Sequence, residues 1–166
     1  MSSCASEDQV YAAYGRAMNK AQVLEHSLRV LVTIHRTASK EFESQEEVER
    51  AVAALSSSTM GTVFAALRKI HQDAALEIQI KLAVTERNRL AHHYFGHWDA
   101  IWVDEQTNTK MVDDADQIRI LFEGTAERLM PILSAHLDTI GADPDSFIPG
   151  LGSRIAEQLA DNTDLA

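Results

Sequence analysis

Residues 9–36 read QVYAAYGRAMNKAQVLEHSLRVLVTIHR, and within them Val10, Tyr14, Ala17, Ala21, Leu24, Leu28, Leu31 and His35 recur at alternating steps of four and three. An α-helix turns about 100° per residue, so these steps draw one unbroken stripe along a single long helix from about Gln9 to Arg36. Gly15 and the alanines leave room for a partner helix to come close. A seam of this length suits either a coiled coil or the core edge of a bundle. In a chain with several further helical patterns, the bundle is the better account.

The patterns that follow are punctuated by capping signals. Ser44-Gln45-Glu46-Glu47 has the spacing of a capping box and predicts a second helix from about Gln45 to Leu55. Ser56-Ser57-Ser58-Thr59 breaks the pattern, and Thr59 is placed to cap a third helix from about Met60 to His71. Asp73 stands ahead of a fourth, from Ala74 to about Phe95, with Gly96 expected to end it. Asp114 and Gln117 repeat the box spacing before a fifth, from about Ala115 to Ile140, closed by Gly141. Pro131 is expected to kink or divide that helix. Between Gly96 and Val112 the helical period is lost. There Ile101-Trp102-Val103 and Lys110-Met111-Val112 flank Asn108-Thr109, which reads either as a short hairpin or as a loop. Residues 1–8 read as a tail, and residues 142–166 as a loop with a short helix near Arg154–Ala160. The expectation is one all-α domain over residues 1–166, an antiparallel bundle of four or five helices.

Composition narrows the class. A chain of 166 residues with 45% apolar and 24% charged residues can bury one real core. Cys4 is the only cysteine, which rules out an intrachain disulfide. No apolar run approaches the roughly 20 residues that span a bilayer. The polar, acidic N-terminus is unlike a signal peptide, so a cytoplasmic protein without membrane contact is expected. The net charge of −10 argues against a surface that coats nucleic-acid backbone. Yet between Arg68 and His97 five basic residues face three acidic ones, and four of the seven histidines share that stretch. This points to a confined anionic site. His93 and His97 are one turn apart, but no cysteine or carboxylate completes a recognised metal spacing. Gly150-Leu151-Gly152 lacks the strand and glycine pattern of a phosphate loop, and Cys4 lacks a basic setting. No metal and no cofactor are expected. Trp98 and Trp102 read as caps on the bundle and not as base-stacking platforms.

The fourth helix carries the chemistry. Measured from Ile80 at about 100° per residue, Leu76, Ala83, Val84, Ala91 and Tyr94 cluster around one direction, and Arg87 falls at about −20° among them. Asn88 and His92 lie at about 80° and 120°, together on one flank. A guanidinium on an apolar stripe is costly unless it is paired, snorkels to the edge, or faces a cleft or subunit interface holding an anion. Arginine, asparagine and histidine together supply a fixed cation, an amide and a residue type that titrates near neutrality. Those types suit phosphodiester cleavage, where histidine moves a proton and arginine stabilises charge on the phosphoryl group.

Arg87-Asn88-Arg89-Leu90-Ala91-His92-His93-Tyr94 resembles the motif of the HEPN family, in which a histidine follows an arginine by four to six positions and asparagine often stands directly after the arginine. Tyr94, two places after His92, matches the form of the motif in the HepT-like toxin branch. The resemblance extends in layout over the bundle from about Gln9 to Ile140, with about eight residues matching specifically. It implies a HEPN-like bundle that forms a homodimer and brings two motifs together across a cleft. Many such proteins are metal-independent endoribonucleases, often toxin–antitoxin or defence components. Others are non-catalytic modules that bind nucleotides or a nucleotidyltransferase partner protein. The resemblance implies Arg87 and His92 as the catalytic pair, and Asn88, Arg89, His93 and Tyr94 as residues around RNA or nucleotide. Tyr94 would line the site or accept a modification from a partner. His93 fills the variable position of the motif, and Glu77 and Glu86 are candidates for a further acidic residue.

Overall fold

The structure, a computed structural model, describes residues 5–39, 44–98 and 105–141. All the regular structure among them is helical: α1 (Glu7–Ala38), α2 (Gln45–Ser56), α3 (Met60–Ile70), α4 (Ala74–His92), α5 (Tyr94–Trp98) and α6 (Glu105–Ile140). The all-α class is therefore as expected. The helix expected near Arg154–Ala160, the segment Ile101-Trp102-Val103 and residues 1–4 lie outside the described residues.

The chain divides into two compact units, Met1–Leu24 with Ala75–Thr125, and Glu25–Ala74 with Ala126–Ala166. The first unit is built on the front half of α1, on α4 with α5, and on the front half of α6. Ala5 N donates to Thr109 Oγ1, Arg16 lies 3.8 Å from Asp116, and Lys20 lies 3.1 Å from Glu123, so α1 and α6 run parallel here. Tyr14 meets Leu90 and Tyr94, and Arg89 meets Asp114, so α4 runs antiparallel to both. The core comprises Val10, Ala13, Ala17 and Ala21 from α1, Leu76, Ile80, Ala83 and Leu90 from α4, Tyr94 from α5, and Met111, Ala115, Ile118 and Phe122 from α6. Alanines dominate the α1 share, which lets the large side chains of the other helices fill the space.

In the second unit Leu28, Leu31, Val32 and Ile34 of α1 pack with Met60, Val63 and Leu67 of α3 and with Leu129, Leu133 and Leu137 of α6. Glu25 is buried here, and its carboxylate accepts from Arg29 Nη2 at 2.7 Å. The same nitrogen donates to Ser58 O at 2.9 Å, tying the α2–α3 turn to α1. Pairing and hydrogen bonding offset the desolvation of both charges.

Local signals explain most of the boundaries. Ser44 Oγ accepts from Glu47 N and Thr59 Oγ1 from Thr62 N, each 3.3 Å, so both expected caps form. Gly141 follows α6 with φ 62°, the left-handed turn that favours glycine. Three boundaries differ from expectation. The tail assigned to residues 1–8 is shorter, because Ser6 N donates to Gln9 Oε1 and Gln9 N to Ser6 Oγ, a reciprocal box that starts α1 at Glu7. The fourth helix breaks at His93 and resumes, and Gly96 lies inside α5 instead of ending the run. His93 N to Arg89 O and His97 N to His93 O, 2.9 and 2.8 Å, carry helical bonding through the break.

The largest correction concerns α6, which begins ten residues before the expected Ala115. Residues 105–112 are helical, so neither the hairpin nor the loop reading holds for Lys110-Met111-Val112. The reason lies in the stripe: Met111 and Thr107, both buried, extend the sequence Ala115, Ile118, Phe122 backwards by steps of four. Asp114 is no cap, since its carboxylate is taken by Arg89. Pro131 does not divide α6; it lies on the exposed side of an unbroken helix.

Phe122, fully buried, and Ile120, largely exposed, stand two residues apart on α6. Phe122→Ala is expected to lower unfolding free energy by about 3–5 kcal/mol. Ile120→Ala should change it by less than about 0.5 kcal/mol, as for an ordinary surface position. Urea unfolding of the two variants checks this, and equal losses would contradict the packing described.

Candidate functional site

The site lies where α4 ends. The buried face of α4 runs through Leu76, Ile80, Ala83 and Leu90 and continues to Tyr94. Arg87 occupies the missing step between Ala83 and Leu90 and is half-buried. Leu90 is more deeply buried than the expected Val84 and Ala91, and Arg87 falls within the arc of the buried residues although its side chain is only half-buried.

Arg87 does not stay on the stripe. Its Nη1 donates to Asn88 Oδ1 at 3.3 Å, which turns the guanidinium towards the flank occupied by Asn88 and His92. Asn88, His92 and His93 are exposed. The His92 and His93 rings lie 6.1 Å apart at a steep angle, so the two imidazoles present different faces. Around the helix axis Arg87 and His92 leave the backbone about 140° apart, and about 7.5 Å apart along it. Within one copy of α4, the Asn88 amide draws the Arg87 cation towards the flank that carries His92.

The other two expected site residues have structural bonds. Arg89 forks onto Asp114, with Nη1 to Oδ2 at 3.0 Å and Nη2 to Oδ1 at 2.9 Å, while its Nε donates to Glu86 at 2.7 Å. The Asp114 bonds, then those from Glu86, raise the guanidinium pKa above its ordinary value against the opposing effect of burial. Tyr94 is buried, and its hydroxyl donates to Met111 O at 2.6 Å. Burial first, and Asp114 next, push the phenol pKa up, so it remains a neutral donor. Tyr14 and Phe95 pack on its ring at centroid distances of 5.3 Å each. Modification of the Tyr94 oxygen would require this hydroxyl to leave its carbonyl.

Of the acidic candidates, Glu86 is engaged by Arg89, and Glu77 is half-buried on α4. Asp114, the residue that anchors Arg89, was masked in the sequence by its resemblance to a helix cap. The chain order also hides a shallow groove of about 700 Å³ between α1 and α6, lined by Ala12, Gly15 and Asn19 and by charged residues including Arg16, Lys20 and Arg119. Its charges answer one another: Arg119 bonds Asp116 and Glu123, and Lys20 bonds Glu123. Burial raises the Glu123 pKa, but Lys20 and Arg119 outweigh it and leave the carboxyl lowered.

No protein-family model matches the chain, and no curated protein or solved structure is similar enough to count as a match.

The contrast between Arg87 and Arg89 is testable. Arg89→Met removes three charge-assisted bonds and leaves Asp114 and Glu86 without that cation, so a loss of about 1–3 kcal/mol in urea unfolding is expected. Tyr94→Phe should cost about 1 kcal/mol by deleting one buried bond. Wild-type stability in Arg89→Met would contradict the anchoring role.

Proposed function

We propose that the chain is a HEPN-like endoribonuclease acting without metal, with Arg87 and His92 from two copies forming one site in a dimer cleft. The observation that carries this reading is the turn of the Arg87 guanidinium onto the Asn88–His92 flank. In the proposed reaction the 2′-hydroxyl of RNA attacks the adjacent phosphorus. The bond to the 5′-oxygen breaks, leaving a cyclic phosphate and a free 5′-hydroxyl. His92 takes the proton from the attacking hydroxyl or delivers one to the leaving oxygen. Arg87 stabilises charge on the phosphoryl oxygens, and Asn88 orients the guanidinium. Arg89 and Tyr94 hold the helix end in place, and His93 stands beside the site. In this reading the protein is a toxin or defence component.

A second reading is a non-catalytic HEPN-like module that binds nucleotide or a nucleotidyltransferase partner. The net charge of −10, unfavourable for gripping long RNA, speaks for it.

Activity distinguishes the two. His92→Ala should lower RNA cleavage by about 10²–10⁴-fold, the range for loss of a general acid or base. Arg87→Lys keeps the charge but loses the planar fork, and should also lose activity. His93→Ala and His97→Ala should be much milder. Cleavage should survive excess EDTA. Wild type no more active than a folded His92→Ala control, across varied RNAs, removes the nuclease reading. Loss of nucleotide or partner binding in Arg87→Lys would then support the module.

Assembly is a separate expectation. The protein should sediment as a dimer at micromolar concentration, through a two-fold contact built around α4 with help from α1. A monomer would remove the composite site.

A further inference from the structure

Away from the motif, in the second unit, two histidines separated by 101 residues meet. His35 stands in the last turn of α1, and His136 lies one turn before the end of α6. Their rings approach edge to face, with centroids 4.8 Å apart and planes at 78°. His35 Nδ1 lies 3.4 Å from His136 Nε2. Both side chains are half-buried, within reach of small solutes.

A shared proton would explain two facing nitrogens, but 3.4 Å is long for an N–H donor, which prefers about 2.7–3.2 Å to an oxygen acceptor. The distance fits another arrangement better. Two imidazole nitrogens, each about 2.0–2.1 Å from one tetrahedral zinc, stand about 3.3–3.4 Å from each other.

The surroundings favour the ligand form. His35 Nε2 lies 3.3 Å from Ser39 Oγ. A proton on Nε2 donated to that hydroxyl leaves Nδ1 with a bare lone pair facing His136, the arrangement in which an outer partner fixes the tautomer of a metal-binding histidine. His71, at the end of α3, supplies a further imidazole in the vicinity.

We propose that His35 Nδ1 and His136 Nε2 form a two-imidazole site for a divalent first-row ion of the zinc, nickel or copper class. Imidazole selects these ions over calcium and magnesium, which prefer oxygen ligands. Among the described residues no group of three or more His, Cys, Asp or Glu is placed to hold a metal. The described residues supply two ligands, which leaves the remaining positions open to water. Bound metal would join α1 to α6. The site shares no residue with the proposed nuclease centre and stands independently of it.

The test uses the full chain without an affinity tag, stripped with EDTA and titrated with zinc chloride by calorimetry. One ion per chain is expected, and zinc should raise the melting temperature. His35→Gln or His136→Gln should each weaken binding by at least about tenfold and abolish that rise. His93→Gln, on the exposed histidine of α4, should bind as wild type does. If either Gln variant fails to fold, zinc titration of wild type followed by histidine-ring NMR takes its place, with the His35 and His136 resonances expected to shift first. Absence of binding by folded wild type overturns the proposal. So does binding unchanged in His35→Gln and His136→Gln, lost in His93→Gln, or felt first at other rings.

Discussion

The fork of Arg89 on Asp114, completed by Glu86, is the contact on which the end of α4 depends. α4 has only a short apolar face near its C-terminus, and three of the last residues on it are exposed or half-buried polar groups. Packing alone would hold such a turn weakly. The bidentate pair supplies direction as well as attraction, because a planar guanidinium and a carboxylate match in one geometry. The Tyr94 hydroxyl adds a second tie to α6, through Met111 O, and its ring closes the space between α1 and α6. Arg87, Asn88 and His92 are thereby presented from a fixed helix end and not from a loop.

That division of labour was only half legible in the sequence. Two arginines stand two residues apart in one motif, and periodicity alone marks Arg87 as the anomalous one. It says nothing about Arg89, whose partner lies 25 residues away on another helix. Asp114 misled because an aspartate three places before a glutamine has the spacing of a cap, although its carboxylate serves a tertiary pair. A helix boundary at Asp114 would exclude Met111 and Thr107 from the stripe they belong to. The asparagine and threonine between them have turn-forming chemistry, which the burial of their neighbours overrides. By contrast, Ser44, Thr59 and Gly141 act through bonds or backbone angles within three residues, and were readable for that reason. The Ser6–Gln9 box obeyed the same rule and was hidden only by the polarity of the tail.

The two arginines and the histidines show how little residue type decides by itself. Arg89 forks onto Asp114 and reaches Glu86, and Arg87 Nη1 donates to the Asn88 amide oxygen. Burial first, and the neighbouring imidazoles next, push the His136 pKa down, whereas His92 faces solvent. The chemistry proposed for each follows from those surroundings: phosphoryl recognition for Arg87, proton transfer for His92, and metal ligation for the His35–His136 pair.

In the proposed nuclease, Arg87 and His92 from two copies form one shared site. Mixing the two single variants Arg87→Lys and His92→Ala tests this most directly. A dimer containing one of each holds one site with both native residues if the site is shared between copies, and none if each copy works alone. The account predicts that subunit exchange between two inactive proteins restores a substantial fraction of RNA cleavage, rising with the yield of mixed dimer. A mixture that forms mixed dimers yet stays as inactive as its parents, beside an active wild type, would contradict it.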